Sequence, residues 1–125
     1  MPSSSKALIV DDSRAIRMIL ARTLRQTGWE VSEASNGVEA LAVLQSGPQP
    51  QVVLVDWSMP EMNGLEFVRR VRTDSRYEST KLMMVTTETQ MEQMVKALEA
   101  GADEYVMKPF TTDMIHEKLR ILGLE

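Results

Sequence analysis

Four apolar runs in this chain end abruptly in groups able to do chemistry. Asp11-Asp12 follow ALIV, Asp56 follows VVLV, Thr86-Thr87-Glu88 follow LMMV, and Lys108 follows YVM. A carboxylate closing an apolar run is costly to desolvate unless a cation meets it. Taken singly, each group has an ordinary reading: aspartate pairs are mostly solvated loops, threonine favours strands, and lysine lies along the surface. Their recurrence at one equivalent place in successive units is what suggests a site. Asp11, Asp12 and Asp56 outweigh Lys108 by two charges, a deficit that one divalent cation removes. All the ligands are oxygen, with no histidine or cysteine among them, which favours Mg2+ over zinc. A hard cation beside a lysine is apparatus for moving a phosphoryl group, and the Asp56 carboxylate can then serve as nucleophile and become an aspartyl phosphate.

The flanking pattern supplies the elements that must hold these groups. Five short apolar runs, 7–10, 31–34, 52–55, 82–85 and 105–107, read as strands, at least three of them apolar throughout as in strands covered on both faces. Helical spacing separates them. Ile16, Ile19, Leu20, Thr23 and Leu24 follow Ser13 and stop at Gly28, while Ala40, Leu41 and Leu44 follow Asn36-Gly37. Leu65, Val68 and Val71 mark a third helix. Met91, Met94, Val95 and Leu98 mark a fourth ending at Gly101, and Met114, Ile115, Leu119 and Leu122 a fifth capped by Thr111 or Thr112. Strict strand–helix alternation predicts an α/β fold, a parallel five-stranded sheet with helices on both faces. Sites in such sheets form outside the carboxyl ends of the strands, where the four polar groups stand.

The chain's 125 residues, 43% of them hydrophobic, suit one domain with one core rather than a disordered segment. A net charge of −4 argues against nucleic acid or an anionic membrane as partner, and the lack of cysteine excludes disulfides and thiolate metal sites. Residues 1–5 read as a short polar tail before a domain over 6–125. With no signal-peptide core and no bilayer-length apolar run, the expected location is the cytoplasm.

Three stretches, LIVDDS, VDWSMPEMNGLE and AGADEYVMKPFT, are together similar to the receiver domain of two-component response regulators, especially its stand-alone chemotaxis regulators. The resemblance spans nearly the whole chain and implies a flavodoxin-like fold with strand order 2-1-3-4-5. It implies that Asp56 takes a phosphoryl group from a phosphohistidine on a sensor histidine kinase. Asp12, Asp56 and the Ser58 backbone carbonyl would bind Mg2+ directly, with Asp11 acting largely through water. Thr86 and Lys108 would each contact a phosphoryl oxygen, the Lys108-Pro109 bond would be cis, and Tyr105 would be the aromatic switch that follows Thr86 inward. The output would be a separate protein, such as a flagellar motor switch, met by the fourth helix, fifth strand and fifth helix around Gln90, Gln93, Ala97 and Glu117. A phosphatase is a further partner of this class.

The chain departs from the pattern at Ser58, where asparagine is frequent, and at Thr87, where alanine is frequent. These side chains and Glu88 would border the route of attacking water and tune the phosphoryl lifetime. Thr89-Gln90-Met91 replaces a lysine pair of well-known motor-binding members. Met18, Met83, Met84, Met94 and Met114 are expected in the core. Arg14, Arg17, Arg22 and Arg25 are expected on a solvated face, with kinase docking near Arg14 and Arg17 a lesser reading. Trp29 is expected to anchor the loop before the second strand, and His116 to be exposed. Rival functions are a Mg2+-dependent phosphohydrolase, disfavoured by Ser58 where a second acid is needed, and a single-domain phosphorelay intermediate. A flavin binder is disfavoured because Asp11-Asp12 would repel phosphate, and a pseudo-receiver because the constellation is intact.

Overall fold

A computed structural model describes residues 5–125, apart from the side chains of Glu88, Thr89 and Met91. Residues 1–4 of the sequence-predicted tail therefore lie outside the described residues, as do the side-chain roles expected of Glu88 and Met91. The chain alternates β1 (Lys6–Val10), α1 (Arg14–Arg25), β2 (Glu30–Ala34), α2 (Gly37–Ser46), β3 (Val52–Asp56), α3 (Gly64–Arg72), β4 (Lys81–Thr86), α4 (Met94–Ala100), β5 (Glu104–Met107) and α5 (Thr112–Ile121). The five strands pair in parallel in the order β2-β1-β3-β4-β5, as expected. Each sequence-predicted strand is found within a residue at either end.

Alternation along the strands divides the core between the two faces of the sheet. Leu8, Val10, Val53, Val55, Leu82 and Met84 pack with Ala40 and Leu44 of α2, Phe67, Val68 and Val71 of α3, and Met94 and Ala97 of α4. Ala7, Ile9, Val52, Leu54, Met83 and Val85 pack on the other face with Leu20, Ala21 and Leu24 of α1 and Ile115 and Leu119 of α5. β1, β3 and β4 are buried almost throughout, whereas β2, at one edge, exposes most of EVSEA. Side-chain caps start the helices where the sequence places them: Ser13 Oγ accepts from Ile16 N, Asn36 Oδ1 from Glu39 N, and Thr111 Oγ1 from Met114 N. Asn63 and Glu66 form a reciprocal capping box at α3.

Several expectations are corrected. Met18 is 50% exposed, as is Ile19, because Leu20, Ala21 and Leu24 are the α1 residues that meet the sheet. Met83, Met84 and Met94 are core residues, and Met114 packs at its margin. The fourth helix starts three residues later than expected: Glu88–Gln93 forms a 3₁₀ stretch, and only Met94 and Ala97 of α4 are buried. Val95 and Leu98 face outward at 62% and 41% exposure. Ala97, expected on the output surface, is instead fully buried. His116 is half-buried rather than exposed, with Nδ1 2.8 Å from Glu125 Oε1. Glu125 Oε2 also accepts from Trp29 Nε1 at 3.0 Å, so Trp29 is anchored as expected.

The end of the sheet opposite the strand-end carboxylates is gathered by one side chain. Arg72, at the close of α3, donates to the carbonyls of Gly101 (3.0 Å), Tyr77 (2.7 Å) and Thr80 (2.8 Å), and to Asp103 Oδ2 (2.8 Å). Asp103 Oδ2 also accepts from Leu82 N at 2.8 Å, so the starts of β4 and β5 share one knot. Gly101 is required there, since its φ is +123° and a Cβ would come within 2.7 Å of Arg72 Cγ. Arg72→Ala should cost about 2–4 kcal/mol of stability, because three carbonyls and a carboxylate each lose one hydrogen bond to the guanidinium. Arg72→Lys should recover little of it, as an ammonium cannot span the same fork. Urea unfolding checks both; a loss below about 0.5 kcal/mol for Arg72→Ala would contradict the knot.

Candidate functional site

Parallel pairing sets β1, β3 and β4 level at their carboxyl ends: Val10 is opposite Val55, and Asp56 is opposite Val85. Asp11 and Asp12 therefore emerge beside Asp56, and Thr86 ends β4 one residue beyond Val85. Lys108 N donates to Thr86 O at 2.6 Å, which brings the β5 exit to the same edge. The Lys108-Pro109 peptide is cis, as the resemblance implied. α3 begins close against β3. A Cβ on Gly64 would lie 3.1 Å from Trp57 Cα, 3.2 Å from Asp56 O and 2.6 Å from Met84 Cε, so only glycine lets the helix start there undisturbed.

Asp11, Asp12 and Asp56 each offer an oxygen, all within 4.8 Å of one another. Asp11 is buried (1% exposed) and Asp56 nearly so (6%), while Asp12 is open to solvent. Lys108 Nζ donates to Asp56 Oδ1 at 3.2 Å and to Asp11 Oδ2 at 3.5 Å. Asp11 Oδ1 accepts from Ser13 N at 2.8 Å, which fixes the carboxylate through the cap residue of α1. Burial, and secondarily the neighbouring Asp11 charge, push the Asp56 carboxyl above the ordinary carboxylate value of 3.8, against the opposing pull of Lys108. One lysine thus does not neutralise the cluster. Three convergent oxygens with an uncompensated negative charge fit a hard divalent cation. Asp12 and Ser58 also line one open hollow with Trp57, Met59, Pro60 and Asn63.

Thr86 is wholly buried, its hydroxyl 3.3 Å from both the Thr87 carbonyl and Gln90 Oε1. Gln90 Oε1 also accepts from Thr87 N at 3.1 Å, and Gln90 Nε2 donates to Ser58 Oγ. Tyr105 is half-buried on β5, its ring centroid 5.1 Å from Lys118 Nζ, which also donates to Glu104 Oε1 at 3.2 Å. Asp11, Asp12, Asp56, Ser58, Thr86 and Lys108 thus come to one edge, while Tyr105 lies on the neighbouring strand opposite Met84, two residues before the position opposite Thr86. Arg17 was expected on a solvated face but turns inward. Its Nη1 donates to the Asp11 carbonyl at 2.6 Å and its Nε to Glu33 at 3.2 Å. Neither this contact nor the Gln90 bridge has a signature in the sequence. The only hint for Gln90 is that it falls one helical turn after Thr86.

Residues 7–120 match the response regulator receiver domain family. Among similar proteins, the chemotaxis protein CheY1 of Helicobacter pylori is 44% identical over 118 residues, covering 94% of this chain and 95% of that protein. The chemotaxis protein CheY homolog of Campylobacter jejuni is 45% identical over 120 residues, covering 94% and 92%. In structure, the chain resembles the chemotaxis response regulator CheY4 of Vibrio cholerae, with a TM-score of 0.88 and 39% identity over 95% of this chain and 98% of that one.

The charge balance at Asp56 gives a prediction that needs no ligand. Because its folded-state pKa is raised, Asp56 contributes stability at acid pH that is lost as pH rises through the folded value. At neutral pH in chelator, Asp56→Asn should therefore be more stable than the parent by about 1–2 kcal/mol, the scale of one poorly compensated buried charge. The difference should shrink as pH falls through the raised folded value toward 3.8, below which the carboxyl is protonated in the folded and unfolded protein alike. Chemical unfolding of both proteins across pH is the check; a less stable Asn variant would mean that Lys108 over-compensates the carboxylate.

Proposed function

Since the chain belongs to the response regulator receiver domain family, we propose that it is a phospho-accepting switch whose acceptor is Asp56 and whose receiver unit takes in residues 6–125. The observation that carries this is the near-burial of Asp56 at a strand end, 3.2 Å from Lys108 Nζ and grouped with two further carboxylates. Lys108 holds Oδ1 of Asp56, and the other carboxylate oxygen attacks the phosphorus of a phosphohistidine on a sensor histidine kinase. The P–N bond breaks with its electron pair staying on the imidazole, and a P–O bond to Asp56 forms. Lys108 and the Thr86 hydroxyl then stabilise two of the phosphoryl oxygens. Asp12, Asp56 and the Ser58 carbonyl would hold Mg2+, with Asp11 acting through water; when bound, the ion offsets negative charge on the phosphoryl oxygens. The chain in this reading catalyses only its own phosphorylation and its hydrolysis, with Ser58, Thr87 and Glu88 bordering the approach of water.

The output is a separate protein. Relatives named for chemotaxis favour a motility target such as a flagellar switch, and a phosphatase fits the same scheme. Among the described residues no helix is long and apolar enough to cross a membrane, consistent with a cytoplasmic role. The signal leaves through α4, β5 and α5. Phosphorylation adds close to two negative charges and three acceptor oxygens beside Thr86. Thr86 turns onto one of them, and Tyr105 fills the space vacated. α4, anchored in the core by Met94 and Ala97 and exposing Val95 and Leu98, is a short element that can shift at small cost. Its apolar residues, with Gln93 and Glu117, form the partner surface. Phosphorylation biases this equilibrium only by the difference in its interactions with the two packings.

Acetyl phosphate labelling in Mg2+ tests the acceptor. The parent should gain a phosphate that is labile to acid, base and hydroxylamine, as an acyl phosphate is, Asp56→Asn none, and Lys108→Ala should label at least about 100-fold more slowly. Labelling of Asp56→Asn at the parental rate would overturn the assignment. Tyr105→Ala should label at close to the parental rate, yet its hydrogen exchange across residues 94–100 should respond less to beryllofluoride. An undiminished response would make Tyr105 a packing residue only.

A further inference from the structure

Gln90 is the only described side chain that bonds both loops flanking the acceptor. It belongs to the 3₁₀ stretch between β4 and α4, yet its amide reaches back to the loop after β3. Oε1 accepts from Thr87 N at 3.1 Å and lies 3.3 Å from Thr86 Oγ1, while Nε2 donates to Ser58 Oγ. Among the described residues it bonds none of the three carboxylates. A hydroxyl has one proton to donate. Thr86 directs it to Gln90 or to the Thr87 carbonyl, and a phosphoryl oxygen on Asp56 would claim it instead. The bridge and the phosphorylated arrangement therefore compete for one hydrogen.

We propose that Gln90 is a positioning residue that latches the unphosphorylated state, tying Thr86 and Ser58 together across the acceptor and opening when Thr86 turns to the phosphoryl group. The inference rests on the phospho-acceptor reading and adds to it a device particular to this chain. The latch also accounts for the late start of α4. Gln90 is held toward the site, so the segment before Met94 coils as 3₁₀ instead of extending the helix, and Gln93 at the α4 start makes no side-chain cap. Opening the latch frees that segment to rearrange along with α4. Breaking it by mutation removes an interaction that only the unphosphorylated state enjoys, which shifts the population toward the active packing.

The test is calorimetric titration of parent, Gln90→Met and Gln90→Ala, first with Mg2+ alone and then with beryllofluoride in saturating Mg2+. Methionine keeps the length of the side chain and loses its hydrogen bonds. Both variants should bind beryllofluoride about 3- to 10-fold more tightly, the worth of one net hydrogen bond, with Mg2+ affinity unchanged within about twofold. A Gln90→Met protein indistinguishable from the parent would show that Gln90 acts by packing alone and would overturn the latch. Weaker beryllofluoride binding in either variant would overturn it too, as would an equal change in Mg2+ affinity. If the parent itself fails to bind beryllofluoride, the phospho-acceptor reading falls and the latch falls with it. A parent that binds while its variants match it leaves that reading standing and removes only the latch.

Discussion

Two buried aspartates and one exposed one share the carboxyl edge of this sheet with a single lysine, and most of the structure around them follows from that imbalance. Desolvation disfavours a charge at Asp56, and Asp11 disfavours it further, yet the fold places both at strand ends where Lys108 is the one cationic side chain, among the described residues, that pairs with them. Hydrophobic burial on both faces of β1, β3 and β4 supplies the stability that tolerates this arrangement, at about 1.5–3 kcal/mol for each large side chain fully withdrawn from water. The backbone is arranged to keep the carboxylates close: Gly64 lets α3 start against Asp56, and Ser13 both caps α1 and orients Asp11. A site held short of neutral is one that gains from taking up a cation, and the proposed phosphoryl chemistry draws on that same deficit.

The two ends of the sheet are built differently. At the amino edge, Arg72 locks the α3 end, the β4 start and the turn before β5 through four donated bonds. At the carboxyl edge, the connection from Thr86 to α4 is a 3₁₀ stretch held by the Gln90 amide, and the short helix beyond it buries only two side chains. Rigidity at one end and a loosely seated helix at the other are what a switch requires, since a local change at the acceptor has one element it can move at small cost.

Most of the architecture was legible because the signals were periodic or compositional. Apolar runs bounded by Asp11, Asp56, Thr86 and Lys108 marked both the strands and the site, and Ser13, Asn36 and Thr111 marked the helix starts. The failures share a cause: periodicity tells which residues line one side of a helix, not how wide a stripe the sheet covers. Met18, Val95 and Leu98 lie at the margins of their stripes and remain exposed, and Ala97, small enough to sit directly on the core, is buried. The bridging roles of Gln90, Arg17 and Glu125 depend on residues far apart in sequence meeting in the fold, and no local pattern encodes them.

The claim on which the account stands is that a phosphoryl group rests on one carboxylate, Asp56. Borohydride reduction of the acetyl phosphate-treated protein, followed by peptide mass spectrometry, reads this directly, because an acyl phosphate is reduced to an alcohol and its aspartate becomes homoserine. The account predicts homoserine at residue 56 and at neither Asp11 nor Asp12. Homoserine at either of those residues, or phosphate that survives reduction on a serine or threonine, would contradict it.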